Sequence, residues 1–119
     1  MRNSPQDLHK KVLGRTGEKR VEEYLKKQGC KILHRNFRTP FGEADIIAQE
    51  KDEILFVEVK TRESTRFGTP KEGVGKDKRR RYYQIAQFYA LRTGEEPNAR
   101  FDVAEVFADG KIEYYKNAF

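Results

Sequence analysis

Between Gly42 and Lys60 the chain carries two runs of alternating character, Glu43-Ala44-Asp45-Ile46-Ile47-Ala48 and Ile54-Leu55-Phe56-Val57-Glu58-Val59-Lys60. Successive side chains of a strand point to opposite faces, so this pattern commits both runs to a β-sheet. In the second run Leu55, Val57 and Val59 share one face, while Ile54, Phe56, Glu58 and Lys60 share the other. In the first, Ala44, Ile46 and Ala48 oppose Glu43, Asp45 and Ile47. One face is expected to be wholly apolar and the other to carry charge.

A tight turn at Lys51-Asp52 would join the runs, although it lacks the Asn-Gly or Asp-Gly that favours a two-residue hairpin loop. Glu50 then pairs with Glu53, and counting outward sets Asp45 opposite Glu58 and Glu43 opposite Lys60. A slip of one residue would expose half of the apolar set, so a buried sheet selects this register. Like charges directly opposite each other repel. A divalent cation held by oxygen ligands resolves that conflict, and Lys60, on the same face as Glu58, can reach a reacting group. The plain alternative is that Glu58 and Lys60 are solvated positions of an amphipathic strand, or that Lys60 pairs with Glu43; exposed ion pairs are common and contribute little. Asp45 beside them favours the metal site.

Asp45 followed by Glu58-Val59-Lys60, after a helix with an inward glutamate, resembles the PD-(D/E)XK nuclease superfamily, in particular its Holliday-junction-resolvase-like branch. The stretch from Gly14 to Lys60 is similar, more closely, to the bacterial YraN-like family. Gly14, Gly17-Glu18, Gly29, Asn36-Phe37-Arg38, Gly42-Glu43-Ala44-Asp45 and Val57-Glu58-Val59-Lys60-Thr61-Arg62 carry the likeness, which covers nearly the whole chain. Ala44 departs from the superfamily pattern, standing where its name puts proline. The resemblance implies a restriction-endonuclease-like fold. It also implies a catalytic set of Asp45, Glu58, Lys60 and Glu18, of which Asp45, Glu58 and Glu18, helped by the Val59 carbonyl, would hold Mg²⁺ or Mn²⁺.

A helix is legible independently from about Asp7 to Gln28, with Gly14, Glu18, Val21 and Leu25 on one stripe and Tyr24 and Gln28 beside it. Glu18 therefore faces inward, where an unpaired carboxylate is expensive and calls for a cation, either a metal or an arginine. A salt bridge to Arg15 or Arg38 is the structural alternative, and Glu22 competes for the site role. Gly14 and Gly17 each cost a helix about 1 kcal/mol against alanine, which points to close backbone approach or to a helix start nearer Gly17.

Thr61 to Gly75 holds four glycine or proline positions and no period, and reads as a long loop from which Arg62 and Arg66 can contact phosphates. A second helix is expected from Lys76 to Arg92, with Lys78, Tyr82, Ile85 and Tyr89 on its stripe and Phe88 adjacent. Its first turns hold Lys76, Lys78, Arg79, Arg80 and Arg81, cations that oppose the helix dipole unless an external anion is present. A nucleic-acid backbone supplies one. The 25 Lys+Arg against 19 Asp+Glu, a net charge of +6, agree with such a partner. Arg38 joins Arg62, Arg66, Lys76, Lys78 and Arg81 as the expected nucleic-acid contacts around one cleft. The chain closes with a hairpin from Arg100 to Tyr115 turning at Asp109-Gly110. Asp102 there reads as an ion-pair partner in the sheet, and Tyr114 and Tyr115 as packing residues.

At 119 residues the chain allows one domain, residues 1–119, with residues 1–7 expected to fray. Its expected class is α/β: a single three-layer domain with a mixed central β-sheet, from Lys31 to Tyr115, flanked by two helices. The lone Cys30 excludes an internal disulfide and, with only His9 and His34, leaves no zinc set. With no leader peptide and no apolar run of spanning length, a cytoplasmic protein without membrane contact is expected. The reading that follows is a Mg²⁺- or Mn²⁺-dependent nuclease acting on nucleic acid, DNA ahead of RNA, and selecting structure over sequence. Its rival is a non-catalytic nucleic-acid-binding protein or partner-dependent subunit that keeps the fold. Resolvase-like action would require a homodimer.

Overall fold

The computed structural model describes residues 5–62, 75–94 and 98–118, with side chains from Thr16 onward. Helix α1 (Pro5–Lys27) leads into strands β1 (Lys31–Thr39), β2 (Gly42–Glu50) and β3 (Glu53–Arg62). Helix α2 (Lys76–Thr93), β4 (Asn98–Phe107) and β5 (Ile112–Tyr115) complete the order. The strands lie side by side in chain order; β3 and β4 run parallel and every other neighbouring pair antiparallel. Parallel strands need a crossover, and α2 lies in it.

Helix α1 stops because Gly29 takes φ +89 and lets the Cys30 N–H reach back to Leu25 O at 2.9 Å, the left-handed closure that glycine adopts without strain. It buries Val21 and Leu25 against Ile46, Ala48, Leu55, Val57, Ala104 and Val106 on one face of the sheet. Gly17 is where helix and sheet touch: a Cβ there would lie 2.3 Å from Thr61 Cγ2. Close approach is thus the reason for this glycine, and not a helix start. Helix α2 covers the other face, packing Tyr82, Ile85 and Tyr89 on Ile47, Ile54, Phe56 and Phe101. Tyr89 meets Phe56 edge-on at 5.7 Å between ring centroids.

Four expectations change. The sheet has no wholly apolar face opposed to a charged one. Because β3 is central and both faces are covered, Ile54 and Phe56 are as buried as Leu55 and Val57, and charge begins only at Glu58. Ala44 packs on the α2 side with Ile47 and not with Ile46 and Ala48, so the alternation of β2 breaks beside Asp45. Thr61 and Arg62, read as loop, extend β3 and pair with Val106 and Phe107; residues 63–74, the rest of that loop with Arg66, lie outside the described residues. Residues 5–7 belong to α1.

The Lys51-Asp52 turn forms, with Lys51 at φ +54, and Glu50 pairs with Glu53 in the expected register. Arg100 Nη1 neutralises that pair of carboxylates at 3.2 and 3.1 Å. Asp102, completely buried, accepts from Arg100, from the Tyr114 hydroxyl at 2.6 Å and from the Asn117 N–H at 3.0 Å. The sheet thus has a closed polar network at the turn end of β2–β3, away from the opposite end where Glu58 and Lys60 lie. Cys30 is buried beside it, its thiol donating to Glu50 Oε2 at 3.6 Å.

Candidate active site

The β2–β3 backbone ladder runs from Glu50↔Glu53 only to Ile46↔Val57. Beyond it the Asp45 side chain takes over, its Oδ2 accepting the Val59 N–H at 2.8 Å. Asp45 and Glu58 are therefore not a flat cross-strand pair; they flank a fork. A carboxylate inserted between two strands satisfies a backbone donor that the parted ladder would leave bare.

Burial, with the nearby charges of Glu18, Glu58 and Glu43, pushes the Asp45 carboxyl up to about 6, against the opposing pull of the Val59 N–H. Glu58 lies beside Asp45 and ion-pairs through Oε1 with Lys78 from the first turn of α2. Its Oε2 is buried with no hydrogen-bond partner among the described residues. Lys60 is half-buried, and burial, then Lys78, holds its ammonium below the usual lysine range, with Arg62 adding to the effect and Glu58 and Glu105 opposing it. Tyr82 of α2 is buried close enough to Glu58 and Asp45 that, after burial itself, their charges raise its phenol.

The two candidate helix glutamates separate clearly. Glu22 is buried and taken by Arg35 Nε at 2.6 Å. Glu18 is the one whose charge reaches Asp45. With its amide nitrogen turned toward the carboxylates, Asn36 donates to Glu43 Oε1 at 2.8 Å and to Glu18 Oε1 at 3.3 Å. Asn36 does so from a left-handed backbone, φ +50, which asparagine tolerates better than most residues.

The expected nucleic-acid contacts divide. Lys76 and Arg81 are exposed at the start of α2, and the Arg81 stem lies against Gly42, at the head of β2. Lys78 is committed to Glu58. Arg38 is exposed and ion-pairs with Glu43 at 3.7 Å. Arg62 binds Glu105 at 3.4 Å through Nε. Arg66 lies outside the described residues. Three residues were passed over as site residues by the sequence reading. Asn36 sits beside an exposed arginine in β1, Arg35 gave no sign that it would claim Glu22, and Glu105 is buried in β4 opposite Lys60. Glu105 left a signal, as the acid interrupting the apolar run Val103-Ala104-Val106-Phe107, and Asn36 stands in the Asn36-Phe37-Arg38 motif; Arg35 left none.

The donors around Asp45 are carboxylates, which suit a hard divalent cation, and the orphaned Glu58 Oε2 points the same way. As they stand, no three His, Cys, Asp or Glu side chains among the described residues form a group that could hold a metal ion. No helix of the described residues is long and apolar enough to cross a membrane.

With a mixed five-stranded sheet between two helices in a single α/β domain, the chain has a restriction-endonuclease-like fold. The chain belongs to the family described as "Uncharacterised protein family UPF0102", whose model matches residues 17–106, the family to which the YraN-like motifs pointed. It is 45% identical over 118 residues to a UPF0102 protein of Caldicellulosiruptor saccharolyticus, covering 94% of this chain and 100% of that one. A UPF0102 protein of Clostridium acetobutylicum is 46% identical over 118 residues, covering 94% and 96%. One from Desulfosudis oleivorans is 45% identical over 108 residues, covering 89% and 88%.

Proposed function

We propose that this protein is a metal-dependent nuclease that hydrolyses phosphodiester bonds, DNA before RNA, at the β2–β3 fork. The observation that carries this reading is that the charges of Glu18, Glu58 and Glu43 all reach the buried Asp45, with a buried oxygen of Glu58 left without a hydrogen-bond partner among the described residues and Lys60 two residues further along β3. Carboxylates crowded at one place cost stability, and a cation offsets that cost.

Asp45 and Glu58, with Glu18, would hold Mg²⁺ or Mn²⁺, which when bound polarises a scissile phosphate and lowers the pKa of a coordinated water. Lys60 orients the attacking water and stabilises negative charge developing on the phosphate. Lys78 neutralises Glu58 while no metal is bound. Lys76, Arg81 and Arg38 line the approach for the nucleic-acid backbone. We propose the cytoplasm as its place of work. Nothing in the site reads base edges, so selection rests on the shape of the nucleic acid, such as junctions, flaps or ends.

A second reading has its own support: the Lys78–Glu58 ion pair and the open arrangement of the carboxylates suit a nucleic-acid-binding subunit that cuts only with a partner, or not at all. The deciding experiment is cleavage of labelled single-stranded, duplex, flap and four-way-junction DNAs and matched RNAs with Mg²⁺, Mn²⁺ or chelator. Metal-dependent cutting that falls at least about 100-fold in Asp45→Ala and in Glu58→Ala, with unfolding still cooperative, is the expected result. Binding without cutting under every condition would establish the second reading. Measuring the mass of the complex on the junction tests whether two copies act together.

A further inference from the structure

Strands β1 and β2 are joined by a two-residue loop, Pro40-Phe41, closed by the pairing of Thr39 with Gly42. Its neighbours fix its shape. The Thr39 hydroxyl accepts the Phe41 N–H at 3.0 Å and donates to the Gly42 carbonyl at 2.8 Å. The Pro40 ring locks one φ, and Gly42 sits at φ +135, which residues with a side chain rarely adopt. Beyond its N–H, Phe41 takes no part in this closure. Loop tips of this kind favour glycine, proline, asparagine, aspartate and serine, so an aromatic ring is a poor local choice. Residues that break a local rule are expected where function demands them.

The ring is left open to solvent. Phe41 is 43% exposed and meets no other aromatic ring among the described residues, whereas Tyr83, also exposed, packs on Phe101 at 5.0 Å between centroids. Arginines lie close to it. The Arg81 stem rests against Gly42, the next residue, and Arg38, three residues earlier, is exposed at the end of β1. Glu43, the following side chain of β2, is already engaged by Arg38 at 3.7 Å and by Asn36. Phe41 lies at the fork end of the sheet, four residues before Asp45. At a strand rise of about 3.3 Å per residue the two stand within about 13 Å, or about four steps of stacked bases. An exposed ring with guanidinium groups nearby suits a ligand that joins an aromatic face to phosphates, as a nucleic acid does.

We propose that Phe41 is a base-stacking residue, its ring packing on the face of an unpaired or terminal base of the nucleic acid held at the fork. The proposal rests on the reading of the protein as one that binds nucleic acid, and supplies it with a means of telling one shape from another. Inside a continuous duplex both faces of every base are covered by its neighbours. In a single strand, a flap, an end or a branch point a face is free, and a ring reads it without touching base edges. Selection then follows exposed stacking surface, whatever the sequence.

The chain has no tryptophan, so Phe41→Trp installs a single indole whose emission reports stacking directly. This variant and a control, Leu91→Trp, exposed near the other end of α2, are titrated in EDTA with a single-stranded oligonucleotide, a four-way junction and a covalently closed duplex circle. The indole at position 41 should be quenched by the single strand and the junction but not by the circle, and the control should keep its emission with all three. Phe41→Ala should weaken binding of the single strand about 5- to 100-fold and keep the parental slope of log K against log salt, since no cation is lost. Phe41→Tyr, which retains a ring, should bind as the parent does. An indole that stays bright in a formed complex, equal quenching by the closed circle or in the control, undiminished binding by Phe41→Ala, or a parent that binds no nucleic acid would overturn the proposal. If the indole is quenched yet the parent cuts nothing with Mg²⁺ or Mn²⁺, the stacking residue stands and the nuclease reading fails. If the parent cuts and the indole is unquenched, the reverse holds.

Discussion

Asp45 pays for its position. Its carboxyl titrates at about 6 instead of the usual 3.8, because burial and three neighbouring carboxylates disfavour the anion. A group raised in the folded state contributes stability that is full below the unfolded pKa and is lost as pH rises through the folded one. In the metal-free protein that loss falls between about pH 4 and pH 6. Asp45→Asn keeps an acceptor for the Val59 N–H and removes the charge, so in EDTA it should be more stable than the parent at pH 7 by about 1–2 kcal/mol, a margin that closes below pH 4. Urea unfolding at both pH values measures this. A variant less stable at pH 7 would mean that the bond from Val59 to a charged carboxylate outweighs the repulsion. The same residue-level logic separates Glu18 from Glu22. Both face the sheet, and only the geometry of Arg35 shows which is already neutralised.

At the scale of elements, the contact between α1 and β3 turns on Gly17. Alanine there gains about 1 kcal/mol of helix propensity but drives a methyl into Thr61, a clash that costs about 1–3 kcal/mol. Gly17→Ala should therefore destabilise the parent. In a Thr61→Ser background, which lacks the obstructing methyl, the same change should cost at least about 1 kcal/mol less. Equal costs in both backgrounds, by urea unfolding, would place the strain elsewhere. Much at this scale was legible in the chain. The period of α1, the turn at Lys51-Asp52, the stripe of Tyr82, Ile85 and Tyr89, and the Asp109-Gly110 hairpin all form as their patterns indicate. The fork was not legible. Counting outward from the turn assumes that a ladder continues, whereas here a side chain takes the place of a backbone partner, and alternation fails at Ala44 beside it. The second buried face escaped too, because Glu58 and Lys60 were read as colouring a whole face when they occupy only its end.

For the whole molecule, the sheet keeps two polar systems apart. At one end Arg100 and Asp102 form a closed set in which each carboxylate finds a partner. At the other, Asp45 and Glu58 are crowded and incompletely partnered. Polar groups satisfied internally stabilise a fold, while those left wanting mark where another molecule is expected. The parallel pairing of β3 with β4 has a further consequence, in the order of synthesis. Every residue of β3 pairs on its outer side with a strand that leaves the ribosome only after α2. Until then the edge bearing Ile54-Leu55-Phe56-Val57, four apolar residues with no proline or charge among them, stands open to any other growing chain. A chain cut after Arg62 should accordingly self-associate, seen as light scattering at concentrations where the full chain stays clear. The strand that carries Glu58 and Lys60 thus spends the first part of its life as an adhesive edge, and its safety depends on how soon the last third of the chain arrives.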